Sequence, residues 1–216
     1  AQGNADAFCG LAGLCYFGHG VEQDYGKAAM WYQKAASRGK LPVLDENATY
    51  IFGELYYFGR GVRQDYMQAA GLYQKAADQG NANAQYRLGC MYYKGQWLEP
   101  DFSKAVMWCE KAAAQGNVQA KYRLGVMYFR GMRGTPDQRG IPGDRRKAMK
   151  WFLEAAGDGD ADAQKMLGDI YSGRESSDTG PDYELAAKWY REAAGNGNAD
   201  AGECLRTLQR EGKILL

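Results

Sequence analysis

The chain has 216 residues, of which 45% are hydrophobic and 25% charged, and its 27 basic and 26 acidic side chains leave a formal net charge of +1. This balance provides no general attraction to nucleic acid or to an anionic membrane surface, so neither is expected as a partner. No run approaches the roughly 20 consecutive apolar residues that cross a bilayer, so membrane insertion is not expected either.

Cysteine usage is irregular. There are five cysteines and a single histidine, His19, and no Cys-x-x-Cys pair occurs. Zinc sites usually need such pairs or clustered histidines, so no metal and no other cofactor is expected. The thiols are predicted to be reduced, which favours a reducing compartment and leaves a periplasmic or secreted location open. The cysteines are Cys9, Cys15, Cys90, Cys109 and Cys204.

An internal repeat dominates the chain. Residues 80–84 read Gly-Asn-Ala-Asn-Ala, and residues 116–120, 36 positions later, read Gly-Asn-Val-Gln-Ala. Related pentapeptides occur at 3–7, 159–163 and 197–201. A period of this length predicts stacked helix–turn–helix units. We expect one domain over residues 1–216, with repeats at approximately 3–39, 40–80, 81–116, 117–159 and 160–197 and a capping helix over 198–216.

Each unit contains the start and stop signals of two helices, here called helix A and helix B. The Asn or Asp after the repeat glycine is predicted to be the N-cap of helix A, because its side chain can accept a backbone N–H. The predicted N-caps of helix B are Asp24, Asp65, Asp101, Asp144 and Asp182. A glycine in the left-handed conformation is predicted to end each helix B. These glycines are Gly39, Gly80, Gly116, Gly159 and Gly197.

The faces of helix A can be separated at about 100° per residue. We number each helix from its first core alanine; these are Ala7, Ala48, Ala84, Ala120 and Ala163. Positions 1, 5, 8 and 12 are predicted to pack on helix B of the same unit. Positions 6 and 9, a small residue followed by a large ring in most repeats, are predicted to stack between units. Position 6 is Ala12, Gly53, Gly89, Gly125 and Gly168, and position 9 is Cys15, Tyr56, Tyr92, Tyr128 and Tyr171.

Two segments carry a family resemblance. Residues 59–66 read Gly-Arg-Gly-Val-Arg-Gln-Asp-Tyr, and residues 27–36 read Lys-Ala-Ala-Met-Trp-Tyr-Gln-Lys-Ala-Ala. Both resemble the repeat of the Sel-1-like family, a relative of the tetratricopeptide repeats, and the resemblance covers essentially the whole chain. It implies an all-α fold, a right-handed α/α superhelix (solenoid) of about five repeats plus a C-terminal capping helix. It also implies an adaptor or scaffold that binds another protein, for example in bacterial signalling, the envelope or host contact.

The sequence also departs from parts of that family. The cysteine-rich secreted branch has a regular cysteine pair in each repeat and this chain does not, which argues against the penicillin-binding activity of some members of that branch. A weak hydrolase of that type and a purely architectural spacer of a longer protein remain the alternatives. Residues 1–4, Ala-Gln-Gly-Asn, reproduce residues 114–117, so we expect a solenoid cut at its N-terminal end. Polar Arg206 and Gln209 predict a natural cap at the other end.

Positions 3, 7 and 10 of helix A point away from the predicted core stripe. By analogy with tetratricopeptide packing they line a concave groove, and their rings are expected to lie outside the repeat core. The predicted binding residues are Tyr16, Tyr50, Glu54, Tyr57, Tyr86, Tyr93, Tyr122 and Phe129. Aromatic side chains are enriched at binding hot spots, so a partner polypeptide is expected to lie across them, on a monomeric protein. The alternative is that the rings pack only against each other.

Two further features receive weaker interpretations. A basic cluster in the fourth unit could meet an acidic peptide or a phosphate, but a solvated loop is the favoured interpretation. It comprises Arg130, Arg133, Arg139, Arg145, Arg146 and Lys147. No catalytic residue is predicted, because His19 lies in a loop without an evident nucleophile partner and Cys109 takes a core position of helix B.

Overall fold

The computed structural model describes residues 2–37, 45–96, 99–131, 140, 142–175 and 180–215. All regular secondary structure in these residues is α-helical, which confirms the predicted fold class. The described helices are α1 (Gln2–Phe17), α2 (Tyr25–Ser37), α3 (Glu46–Phe58), α4 (Tyr66–Asp78), α5 (Ala82–Lys94), α6 (Phe102–Ala114), α7 (Val118–Arg130), α8 (Arg145–Gly157), α9 (Ala161–Tyr171), α10 (Tyr183–Gly195) and α11 (Ala199–Arg210).

The chain divides into two compact units, residues 1–115 and 116–216. The first unit contains the pairs α1–α2, α3–α4 and α5–α6, and the second contains α7–α8, α9–α10 and the single helix α11. Within each pair the two helices pack closely against each other. These pairs are the predicted helix A and helix B of each repeat.

Side-chain caps begin the helices as the sequence predicts. Asp65 accepts a hydrogen bond from the Gln68 N–H at 3.0 Å before a helix B, and Asn81 accepts one from the Ala84 N–H at 2.8 Å before a helix A. Each such cap stabilises a helix by about 0.5–2 kcal/mol. The same bond is made by the predicted caps Asp24, Asp101, Asn117, Asp144, Asp160, Asp182 and Asn198, and before α3 by Asp45, which does not follow a repeat glycine and was not predicted. The first repeat differs, because α1 begins at Gln2 and the predicted N-cap Asn4 lies inside the helix.

Glycines in the left-handed conformation follow helix B, which confirms that prediction for four repeats. Gly80, Gly116, Gly159 and Gly197 have φ values of 105°, 85°, 89° and 95°. A residue with a Cβ is strained in this conformation, whereas glycine adopts it readily. The predicted fifth stop, Gly39, lies outside the described residues.

The glycines at position 6 serve a different purpose from the predicted one. A Cβ added to Gly53 would lie 2.7 Å from the Tyr73 ring, and one added to Gly168 would lie 2.5 Å from the Tyr190 ring. Tyr73 and Tyr190 belong to helix B of the same pair. The prediction that these glycines mediate stacking between units is therefore wrong. They let helix A approach a large side chain of its own helix B.

Positions 5 and 8 of helix A face the preceding repeat as well as their own. Phe52, at position 5 of α3, stacks on Tyr32 of α2 with ring centroids 5.5 Å apart. Leu55, at position 8, is 0% exposed, whereas Leu11 and Leu14 at the same two positions of α1 are 40% and 42% exposed. The prediction that these positions pack on helix B of their own unit is therefore incomplete, because α3 lies between α2 and α4.

The last helix, α11, has the polar outer face that the sequence predicts. Cys204, Leu208 and, beyond the helix, Ile214 are buried against α10. On the other side Arg206 is exposed and pairs with Glu203 at 2.7 Å. This arrangement covers the apolar side of α10 and presents charged groups to solvent.

Candidate functional site

The predicted binding rings of the first unit lie on its three A helices, which are α1, α3 and α5. We call the surface formed by positions 3, 7 and 10 of these helices the ring face. Its rings are all half-buried, so each is partly accessible and partly packed. They are Tyr16, Tyr50, Tyr57, Tyr86 and Tyr93.

Three of these rings, Tyr16, Tyr50 and Tyr57, also belong to the packing of the repeats, because they pack against the apolar core clusters of the first unit. Tyr50 and Tyr57 flank Tyr73 of α4, with ring centroids 5.9 and 6.1 Å from it, and Tyr73 itself is 0% exposed. The Tyr57 hydroxyl donates a hydrogen bond to Oε1 of Gln96 at 2.9 Å. The expectation that the rings lie outside the core is therefore wrong for these three, of which Tyr50 and Tyr57 cover a core ring and line the surface at once.

Glu54 lies beneath the ring face rather than on it. The residue is 6% exposed, and its carboxylate accepts a hydrogen bond from the Tyr73 hydroxyl. Arg87 of α5 donates Nε–H to Oε1 and Nη2–H to Oε2, both at 2.9 Å. A buried carboxylate requires such partners, and here they come from two successive repeats. Glu54 therefore ties α3 to α5 and has little capacity left for a ligand.

Burial and this carboxylate change the acidity of the neighbouring groups. Burial, followed by the charge of Glu54, raises the pKa of Tyr50 to about 12 and raises that of Tyr73 further. Burial alone would lower the pKa of Arg87, but its hydrogen bonds to Glu54 and the carboxylate charge raise it. Both tyrosines thus stay neutral and Arg87 stays charged over the whole physiological pH range.

An exposed aromatic ring lies close to two guanidinium groups beside the ring face. Phe58, the last residue of α3, is 42% exposed. The guanidinium carbons of Arg60 and Arg87 lie 4.9 and 5.4 Å from its ring centroid, within cation–π range. Sequence reasoning missed these three residues because they are outside positions 3, 7 and 10. Only the reach of the two arginine side chains brings them together.

Arg60 also connects this cluster to the first repeat. Its guanidinium carbon lies 5.2 Å from the centroid of the Tyr25 ring, and it interacts with the Tyr16 hydroxyl. Burial and then the Glu54 charge raise the pKa of Tyr16, while Arg60 acts in the opposite direction. Among the described residues no carboxylate pairs with Arg60, in contrast to Arg87. Within the described part of the chain, Arg60 is thus a cation beside the ring face whose charge no carboxylate matches.

In the second unit the predicted rings rest on one core side chain. Tyr122 and Phe129 are half-buried, and their centroids lie 6.0 and 6.1 Å from that of Phe152, which is 0% exposed. Burial raises the pKa of Tyr122. The guanidinium carbon of Arg145 lies 5.6 Å from the Phe129 ring centroid. These two rings thus cover the core as Tyr50 and Tyr57 do in the first unit.

The second unit has its own buried carboxylate at position 7. Asp169 is 6% exposed and accepts hydrogen bonds from the Tyr190 hydroxyl at 2.8 Å and from Lys165 Nζ at 2.6 Å. Ser172 Oγ lies 3.1 Å from the Tyr190 oxygen. As at Glu54, a helix B tyrosine and one cation satisfy the carboxylate. The shared arrangement is structural, because in both units the buried carboxylate is already satisfied by its neighbours.

The described residues hold neither a metal-ligand cluster nor a helix that could span a bilayer. His19 is exposed and its ring stacks on Phe17, with centroids 5.4 Å apart, while Cys109 is 0% exposed as predicted. In the basic cluster Arg133 and Arg139 lie outside the described residues, and Lys147 pairs with its own cap, Asp144, at 3.9 Å.

Comparison with known families identifies the repeat. The family model described as "Sel1 repeat" matches five segments, residues 5–40, 47–81, 82–117, 118–160 and 161–198. Each segment contains one of the helix pairs described above. A search of curated proteins found no match.

Solved structures of similar proteins extend over nearly the whole chain. A Sel1 repeat protein from Oxalobacter formigenes is 29% identical with a TM-score of 0.80, and the match covers 100% of this chain and 80% of that one. A protective antigen of uropathogenic Escherichia coli with an SLR fold, c5321, is 31% identical with a TM-score of 0.69 over 98% of this chain and 50% of that one. An immunity protein from Pseudomonas aeruginosa, Pa5087, is 25% identical with a TM-score of 0.53, and the match covers 91% of this chain and 67% of that one.

Proposed function

The chain belongs to the Sel1 repeat family, whose members generally act as protein-interaction scaffolds without catalytic activity, and we propose that it binds a segment of another protein across its ring face. The observation that supports this most directly is the exposed Phe58 ring, which lies beside the ring face within cation–π range of both Arg60 and Arg87. Aromatic and arginine side chains dominate the binding energy of protein interfaces.

The chemistry of the ring face indicates the kind of segment it binds. Tyr86 and Tyr93 of α5 and Phe58 offer ring surface for apolar side chains. Arg60 offers a guanidinium that a carboxylate can meet in bidentate geometry, whereas the charge of Arg87 is already matched by Glu54. A partner segment that alternates apolar and acidic side chains is therefore complementary to this surface.

Selection of peptides tests the proposal and does not require that the partner be identified first. A phage-displayed library of random 12-residue peptides would be selected on the immobilised protein, and the dissociation constants of the enriched peptides measured by fluorescence anisotropy. The expected peptides combine acidic with aromatic or aliphatic residues. Phe58→Ala should weaken their binding by about 1–3 kcal/mol, which is the size of a hot-spot truncation.

Two further variants separate binding from folding. Leu153→Ala removes a side chain of similar exposure, 43%, from the second unit and should leave peptide binding unchanged. The double variant Tyr86→Ala, Tyr93→Ala should fold and bind weakly. If it melts far below the parent, these rings are packing elements. If no peptide is enriched, or if Phe58→Ala binds as well as the parent, the ring face is not a binding site.

A further inference from the structure

One repeat lacks the tryptophan that the other four share. Position 7 of helix B, counted from the residue after its N-cap, is tryptophan in α2, α6, α8 and α10, but it is Leu72 in α4. The residue before it is Met or Lys in those helices and Gly71 in α4. Two adjacent side chains of the second repeat are thus much smaller than their counterparts. The tryptophans are Trp31, Trp108, Trp151 and Trp189.

The neighbouring repeats show what this tryptophan normally does. Trp108 of α6 is 6% exposed and packs in one apolar cluster with residues of α4 and α5. Its indole thus fills the space between its own helix pair and the preceding helix B. The ammonium of Lys111, three residues further along, lies 4.3 Å from the ring centroid. In α2 the ammonium of Lys34 lies 4.5 Å from the Trp31 centroid in the same register.

At the equivalent place in the second repeat there is a cavity. It has a volume of about 440 Å³ and lies between α2, α3 and α4, within the first unit. Binding pockets for small molecules have volumes of about 300–1,000 Å³. Its floor includes Phe52 and Leu72, and Lys75, the counterpart of Lys34 and Lys111, lines it. The lysine that covers an indole in two other repeats is present here without the indole.

We propose that this cavity, which we call the vacant tryptophan pocket, binds an aromatic side chain of a partner protein. The ring occupies the space between Phe52 and Leu72, with one face toward the ammonium of Lys75. The negative face of an aromatic ring is complementary to an ammonium group, whereas an aliphatic side chain gains nothing from that charge. The pocket does not involve the ring face, so this proposal is independent of the proposed function.

A second cavity continues the pocket along the surface. Its volume is about 580 Å³, and it shares Gln33 and Tyr56 with the first. Between the two, Gln33 Nε2 lies 3.5 Å from the Tyr56 hydroxyl, which accepts its hydrogen bond. Asp65 and Arg63 line the second cavity, so a negative and a positive side chain are both available there to polar groups of the partner. A partner aromatic residue can thus sit in the first cavity while its flanking residues lie in the second.

The probe for this pocket is N-acetyl-tryptophan amide, titrated into ¹⁵N-labelled protein and followed by ¹H–¹⁵N correlation spectra. Saturable shifts are expected for the amides of Gln33, Gly71, Leu72 and Lys75. Leu72→Trp should abolish them, because it restores the side chain that fills this space in the third repeat. Lys75→Gln should weaken binding by about twofold to fivefold, the size of an exposed cation–π contact.

Three comparisons make the result decisive. Gly71→Met, which restores the residue found in α2 and α6, should also reduce binding and serves if Leu72→Trp does not fold. Phe58→Ala should bind the probe like the parent, which separates this pocket from the ring face. N-acetyl-cyclohexylalanine amide should bind more weakly than the tryptophan amide. Absence of saturable shifts, equal shifts in Leu72→Trp, or equal affinity for the cyclohexyl compound would overturn the proposal.

Discussion

Arg87 donates two hydrogen bonds of 2.9 Å to the two carboxylate oxygens of Glu54, so a side chain of α5 satisfies a buried charge of α3. The two residues are 33 positions apart and belong to successive repeats. The pair therefore contributes to the alignment of the second and third repeats, beneath the ring face.

Arg87→Ala should destabilise the protein because it leaves the Glu54 carboxylate buried with only the Tyr73 and Tyr50 hydroxyls, and no cation, as its partners. Breaking a fully buried pair costs about 3–5 kcal/mol. The side chain of Arg87 is 27% exposed, so a loss on the order of 2 kcal/mol is expected, measured by urea denaturation. Adding Glu54→Gln to the Arg87→Ala variant should recover part of the lost stability. Arg63→Ala, at an exposed arginine, is the control, and an equal loss there would contradict this assignment.

Gly125→Ala should destabilise the second unit even though alanine favours helix. A Cβ at this position would lie 2.5 Å from the Phe152 ring, so the two helices must separate or the ring must move. Overpacking of this kind costs about 1–3 kcal/mol. Gly202→Ala in α11 is the matched control, since nothing lies within 4 Å of its added Cβ, and it should stabilise by up to about 1 kcal/mol. Thermal melts that rank the two variants the other way would refute this account.

Alkaline pH should destabilise the fold through Tyr50. Its pKa is about 12 in the folded protein and 10.0 for an unperturbed tyrosine. The unfolded chain therefore loses this proton first, so the stabilisation is complete below about pH 10 and is lost as the pH rises to about 12. Tyr50→Phe should make the fall in melting temperature across this range shallower. Tyr66→Phe controls for loss of a hydroxyl, and identical slopes in the parent and Tyr50→Phe would exclude Tyr50 as a source.

Thiol labelling should separate the five cysteines into two groups. Cys9 and Cys15 are half-buried, whereas Cys90, Cys109 and Cys204 are buried, and all five are free. Under native conditions an aromatic disulfide reagent should modify Cys9 and Cys15 first. Burial raises the pKa of Cys9, as do the nearby Asp45 and Asp6 charges, which slows its reaction. Denatured, non-reduced protein should release five equivalents, and three or fewer would indicate disulfides.

Much of this fold follows from local chemistry along the sequence. A cap such as Asp65 and a stop such as Gly80 act within a few residues of their position, so the repeated pattern determined both where helices begin and where they end. The family resemblance rests on the same repeated residues. The matched segments confirm it, and members of this family generally act as protein-interaction scaffolds.

Only the tertiary structure shows which neighbouring helix each face of helix A contacts. The helical period shows that Gly53 and Phe52 lie on one side of α3, but not which neighbouring helix each one meets. Gly53 meets Tyr73 of its own pair and Phe52 meets Tyr32 of the preceding one, because α3 packs between α2 and α4. The sequence likewise placed Glu54 among the binding rings, and only the reach of Arg87 shows it to be a buried structural group.

For the two candidate binding surfaces as well, the sequence shows some features and only the tertiary structure shows the others. The sequence determined that the ring face would carry tyrosines at a regular spacing, since spacing is a one-dimensional property. Side chains that meet across repeats, such as Arg60 over Phe58, depend on distances between helices that no local pattern specifies. The vacant tryptophan pocket needed both kinds of information. The sequence shows Leu72 where other repeats have tryptophan, and only the packing of α2, α3 and α4 shows that nothing else in the described chain fills the space.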